Sequence, residues 1–205
     1  MPKELERNQR MLPAADFLVP YFERGKGNPI IVFPARADNI AGIIDKLADS
    51  HRVIVFDLSR VAQLSTDKLV EKMSTGLTRI GIEQCSVIGI QADTLAALTL
   101  VTSAAESIDR LILISPQISP SAQLPDLEAV KTPTLVLVGT RDAAATIEVG
   151  RRCRQNISSC HLSFVYGGGD PTAGDRREAC LDPIIQFLEQ GEQFIIVRES
   201  QLIRP

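Results

Sequence analysis

Four cysteines and two histidines hold much of the metal-binding and nucleophilic potential of this 205-residue chain, and their spacing argues against a metal. Cys85, Cys153, Cys160 and Cys180 include no pair separated by two residues, and His51 and His161 fall in strand-like runs. Zinc takes four N, S or O ligands, usually delivered as closely spaced half-sites. No such half-site is visible, so neither a metal nor a cofactor is expected. The cysteines read as reduced, mostly buried thiols. The triglycine Gly167-Gly168-Gly169 offers N–H groups to an anion, yet it fits neither G-x-x-x-x-G-K-S/T nor G-x-G-x-x-G and reads as a turn. Arg151, Arg152 and Arg154, with Arg176 and Arg177 further on, form a modest basic patch of the kind that is usually a solvated face.

Whatever chemistry exists must be positioned by short β-branched runs. These are 29–33, 52–56, 85–89, 110–114, 134–138 and 161–165, each almost continuously apolar, as a strand buried on both faces of a parallel sheet requires. Helical spacing fills the intervals at 38–49, 64–80, 93–105, 145–156 and 175–190. In 64–80, Leu64, Leu69, Val70, Met73, Leu77 and Ile80 fall on one side and Asp67, Lys68, Glu71 and Lys72 largely on the other. This alternation predicts an α/β three-layer sandwich with a mostly parallel central sheet, wound by right-handed crossovers, as one domain over 1–205. Residues 1–16 read as an N-terminal extension. The run 17–22 reads as an edge strand in a hairpin with 29–33, Pro20 suiting an edge. The apolar tail 193–205 reads as an added strand or as the cover of a homodimer surface.

Lys plus Arg number 22 and Asp plus Glu 25, so no basic excess exists to bind nucleic acid through its phosphates. The longest apolar stretches are too short to span a membrane, and the charged N-terminus lacks the core of a secretory signal. A cytoplasmic protein is expected.

The order of pieces resembles the α/β-hydrolase fold superfamily over roughly residues 17–190. Tyr21 to Gly27 is similar to its entry hairpin, Gly81 to Gly89 to the approach to its nucleophile elbow, Ile108 to Pro116 to the next strand, and Lys131 to Asp142 (KTPTLVLVGTRD) to the strand bearing the triad acid. The resemblance implies this fold without a cap domain, because only residues 115–133 lie where many members insert one. It also implies where a site would be, and there the sequence departs from the pattern. The elbow G-x-S-x-G reads Gly89-Ile90-Gln91-Ala92-Asp93, which puts a carboxamide in the place of the attacking hydroxyl. Asp93 replaces the second glycine, so a relaxed turn is expected, with Asp93 capping the following helix. The triad acid corresponds to Asp142, and Asp170 stands where the histidine belongs. The oxyanion-hole donors correspond to Ala35, Arg36 and Ala92, beside Pro34, which has no N–H.

These departures imply a catalytically degenerate protein without serine-hydrolase activity, binding a protein partner or a small ligand. The alternative is a rebuilt enzyme, a hydrolase, lyase or cyclase, in which Asp142 and Asp170 lie together and share a proton as acid and base. Two carboxylates alone make a thin magnesium or calcium site. Cys85 and Ser86 are poor substitute nucleophiles because both fall inside the buried strand before the elbow.

Overall fold

Each β-branched run becomes a strand. The computed structural model describes residues 9–14, 17–34, 40–56, 58, 66–119, 122–167 and 177–202. The strands are β1 (Arg10–Ala14), β2 (Phe17–Arg24), β3 (Asn28–Pro34), β4 (His51–Phe56), β5 (Cys85–Ile90), β6 (Ile108–Ile114), β7 (Thr134–Gly139) and β8 (Cys160–Val165). The helices are α1 (Ala41–Leu47), α2 (Thr66–Arg79), α3 (Thr94–Ser103), α4 (Ala144–Asn156), α5 (Arg177–Gln190) and α6 (Glu192–Leu202). One sheet of order β1-β2-β4-β3-β5-β6-β7-β8 contains every strand among the described residues, antiparallel among β1, β2 and β4 and parallel from β4 onward.

Alternation along the central strands feeds two separate cores. Ile31, Phe33, Ile54, Phe56, Val87, Leu111 and Val136 pack under α2, α3 and α4. Ile30, Val32, Val53, Val55, Ile88, Ile112 and Leu135 pack under α1, α5 and α6. Fully burying an aliphatic or aromatic side chain stabilises by about 1.5–3 kcal/mol, and a one-residue slip of any strand would exchange the two sets. That fixes the register, and with it the points where the strands end. The helix α3 has apolar character almost all round and is buried almost all round, as expected for a segment covered by α2 as well as by the sheet.

The structure corrects three expectations. The run at 17–22 is not an edge strand and does not pair with 29–33. Instead β2 lies between β1 and β4, and residues 10–14 of the supposed extension supply the edge, with Leu12 fully buried. Pro20 is tolerated because the ladder to β4 begins one residue later, at Tyr21. The apolar tail is not an added strand: it forms α6, which buries Phe194 and Ile195 against the second core and leaves Ile196 and Val197 exposed. Between β6 and β7 the only helix among the described residues is the 3-10 turn Leu127–Ala129, and the described residues there form no cap domain. All four cysteines are free thiols and buried. Among the described residues no helix is long and apolar enough to cross a membrane.

Candidate functional site

The strand β5 delivers the central position. After Ile90 the chain turns at once through the 3-10 segment Gln91–Asp93 into α3. Gln91 has φ 50°, left-handed backbone that costs an L-residue about 1–2 kcal/mol, so packing on both sides must hold it there. Gly89 shows how tightly. A Cβ at this position would lie 2.6 Å from the Ala97 Cβ and 3.2 Å from the Thr94 Cα, so α3 rests directly on the strand it follows. The sharp elbow is therefore kept, contrary to the relaxed turn expected from Asp93. That residue has φ −85°, which needs no glycine. Asp93 does occupy the N-cap position of α3, but its side chain makes no capping hydrogen bond, because its φ and ψ lie outside the extended geometry that aims a cap at the helix N–H groups.

A second strained residue stands one strand away. Ser115, just past the end of β6, has φ 45° and is 2% exposed. Its hydroxyl donates to Asp142 Oδ2 at 2.7 Å, and its N–H donates to the Leu137 carbonyl at 2.8 Å. Asp142 Oδ2 also accepts from the Gly139 N–H at 2.8 Å, while the Asp142 N–H donates back to the Gly139 carbonyl at 3.0 Å. The carboxylate closes the turn that ends β7 and ties it to the end of β6. Two residues beyond Ser115, the Gln117 N–H donates to the Gln91 carbonyl at 3.0 Å. Segment 115–117 thus joins the acid position to the elbow, and Gln91 and Asp142 share the C-terminal edge of the sheet. Ala92 is exposed in the first turn of the elbow, where backbone N–H groups have no partner inside the helix. Asp170, Ala35 and Arg36 lie outside the described residues.

The other nucleophile and base candidates are elsewhere. Cys85 and Ser86 begin β5, at the opposite edge of the sheet. Burial, reinforced by the nearby Asp109 carboxylate, pushes the Cys85 thiol up to about 12, which keeps it protonated at neutral pH. Ser50 Oγ lies 2.9 Å from His51 Nδ1, a hydroxyl beside an imidazole, but this pair too is at the N-terminal edge, far from the elbow. Among the described residues no carboxylate orients the His51 ring. The His161 ring meets Phe194 edge-on at 5.8 Å. Among the described residues no group of three or more His, Cys, Asp or Glu is placed to hold a metal.

Sequence reasoning missed Ser115 as a site residue. The available signal was its place, a polar residue directly after the buried run Leu111-Ile112-Leu113-Ile114, at a strand end where sites in open α/β sheets lie.

Comparison with solved structures places this geometry. The chain superimposes on an α/β-hydrolase enzyme from the metagenome of Mar Chica lagoon sediments in Morocco with a TM-score of 0.73 and 18% identity, over 83% of this chain and 95% of that one. A meta-cleavage product hydrolase from Pseudomonas fluorescens gives 0.73 and 15% identity over 88% and 97%. A bacterial membrane phospholipase A gives 0.74 and 16% over 89% and 86%. The chain has the α/β-hydrolase fold. A family model described as TAP-like protein matches residues 114–193, which takes in Ser115 and Asp142 but not the elbow. Among curated proteins no sequence matches. The residue at the turn between β5 and α3 is Gln91.

Proposed function

We propose that this α/β-hydrolase-fold protein acts by binding a partner or a small ligand at the C-terminal edge of its sheet, without serine-hydrolase chemistry. The observation that carries the reading is Gln91 at the strained tip of a preserved elbow. A carboxamide presents a donor and an acceptor for recognition but cannot attack a carbonyl and leave again as an acyl carrier. The engagement of Asp142 supports the same reading, because its carboxylate holds two strand ends together through Ser115 and Gly139. Those contacts count against Asp142 as an uncommitted carboxylate available to pair with Asp170. The names of the solved structures describe hydrolases; at identities below 20% that likeness carries the shape alone.

The test is labelling of the full chain with a fluorophosphonate probe, together with turnover of short activated esters. The expected result is no labelling and no hydrolysis above the buffer rate. Stoichiometric labelling mapped to one serine, with ester turnover lost when that serine becomes alanine, would sink the reading. The proposal includes a cytoplasmic protein that engages neither nucleic acid nor membrane, with Ile196 and Val197 of α6 as the contact between two copies. Sedimentation of the full chain checks the last point: a monomer at all concentrations rules it out.

A further inference from the structure

The N-terminal edge of the sheet, opposite the elbow, carries a polar row that the fold does not require. On the face covered by α1 and α5, strand after strand runs inward through Ile30 and Val32, Val53 and Val55, Ile88 and Ile90, Ile112 and Ile114. The residue one step earlier on that same face is Asn28 in β3, His51 in β4, Ser86 in β5 and Arg110 in β6. They form two pairs, Asn28 opposite His51 and Ser86 opposite Arg110, staggered diagonally by two residues because Ser86 stands opposite Ile30. They floor a cavity of ≈ 200 Å³ that Leu188 of α5 helps to close.

Two features show that this row is arranged. The ladder between β5 and β6 is regular except for one shift: Cys85 faces Ile108, and Ser86 faces Arg110, leaving Asp109 as an extra residue. This bulge sends Ile108 to one core and brings Arg110 onto the other face, in line with Ser86. The guanidinium is then held against Gly191, whose φ is 57°. A Cβ there would lie 3.1 Å from Arg110 Nε and 3.3 Å from Nη2. Nε is buried without a hydrogen-bond partner, and among the described residues Arg110 forms no ion pair. Ser86 is 6% exposed, and its hydroxyl has no hydrogen bond among the described residues. When the Ser50 hydroxyl donates to Nδ1 of His51, the ring keeps its proton on Nε2 as a further donor.

We infer that this cavity is a binding site for a small oxyanion, a carboxylate or phosphate group, held by Arg110 and Ser86 with Asn28 and His51 beside them. All four side chains can donate hydrogen bonds, and of the two charged residues that line the cavity, Arg110 and Asp109, the one within the row is positive. Asp109, exposed on the bulge, also lines the cavity, and its carboxylate repels an anion that approaches it more closely than it approaches Arg110. The site is independent of the elbow and does not rest on the binding reading above.

The chain has two histidines, one on the floor and one beside Phe194, so its imidazole proton resonances supply both reporter and control. The full chain is titrated with inorganic phosphate and, separately, with acetate, at ionic strength held constant with chloride. The expected result is a saturable shift of the His51 resonances with the His161 resonances unmoved, weakened about tenfold or more in Arg110→Gln and measurably in Ser86→Ala. Saturation by acetate alone assigns a carboxylate ligand, and saturation by phosphate alone assigns a phosphate. No saturable shift with either ion, or a shift that both variants retain in full, overturns the inference. Ser86→Ala removes only a hydroxyl from a cavity wall, so it remains informative if Arg110→Gln folds poorly.

Discussion

The two ends of the parallel strands contrast. At the C-terminal end the backbone is strained, with left-handed Gln91 and Ser115, and the side chains are a carboxamide and a hydroxyl already committed to Asp142. At the N-terminal end the strands begin in ordinary geometry apart from one bulge, and there the side chains are a guanidinium, an imidazole, an amide and an uncommitted hydroxyl. Backbone shape and side-chain chemistry are therefore separable. The elbow is held by packing between α3 and β5 and persists whatever residue stands at its tip, whereas the polar row exists only through the choice of four side chains.

The contrast can be broken first where packing is tightest. Gly89→Val forces α3 off the sheet and should cost about 3 kcal/mol in urea unfolding, whereas Ser86→Ala, three residues earlier in the same strand, should change stability by under about 0.5 kcal/mol. Equal costs would mean that the elbow is not the rigid end. Asp142→Ala removes the acceptor of the Ser115 hydroxyl and the Gly139 N–H and should destabilise by about 2 kcal/mol. An unchanged unfolding midpoint would return that carboxylate to the pool of uncommitted acids. Gln91→Gly relieves the left-handed backbone and should stabilise by about 1 kcal/mol, a gain that Gln91→Ala cannot give.

A smaller effect separates the ends by pH. The Cys85 thiol is raised from 9.0 to about 12, and Cys153 to about 11, mainly by burial. The folded state thus holds these protons more tightly than the unfolded chain. The stability they contribute is complete below about pH 9 and is lost as pH rises toward 12. Urea midpoints should fall across that window, and thiol reagents at pH 8 should react only as fast as the chain opens. Prompt modification of Cys85 in the native protein would contradict its burial. The smallest expected change is Arg151→Ala, whose 3.8 Å ion pair to Glu148 is exposed and should contribute no more than about 0.5 kcal/mol.

Much of this architecture was legible in the sequence because buried parallel strands leave an unambiguous trace. Runs such as Leu111-Ile112-Leu113-Ile114 and Leu135-Val136-Leu137-Val138 admit no other assignment once helices separate them, and the elbow segment 89–93 stood where the resemblance put it. The polar Met11-flanked strand β1 was not legible, because Arg10, Pro13 and a single buried Leu12 make no periodic signal. The tail was ambiguous for another reason: Phe194-Ile195-Ile196-Val197 suits a strand by composition, and only its packing on Phe187 and His161 makes it helical. At the candidate site, the absence of an attacking side chain could be read from residue 91 alone. The left-handed backbone at 91 and 115 could not, since it depends on what α3 and β7 press against. The bond from Ser115 to Asp142 spans 27 positions of chain and leaves no local pattern.

The bulge at Asp109 also bears on how this chain can change in length. Removing one residue from a two-faced strand ordinarily turns everything beyond the cut inside out. Asp109 is the exception among the described pairings: without it, Ile108 would still stand opposite Cys85 and Arg110 opposite Ser86, in an unbroken ladder. The sheet thus has a built-in spare position, where a deletion would be absorbed in silence and a second insertion would not.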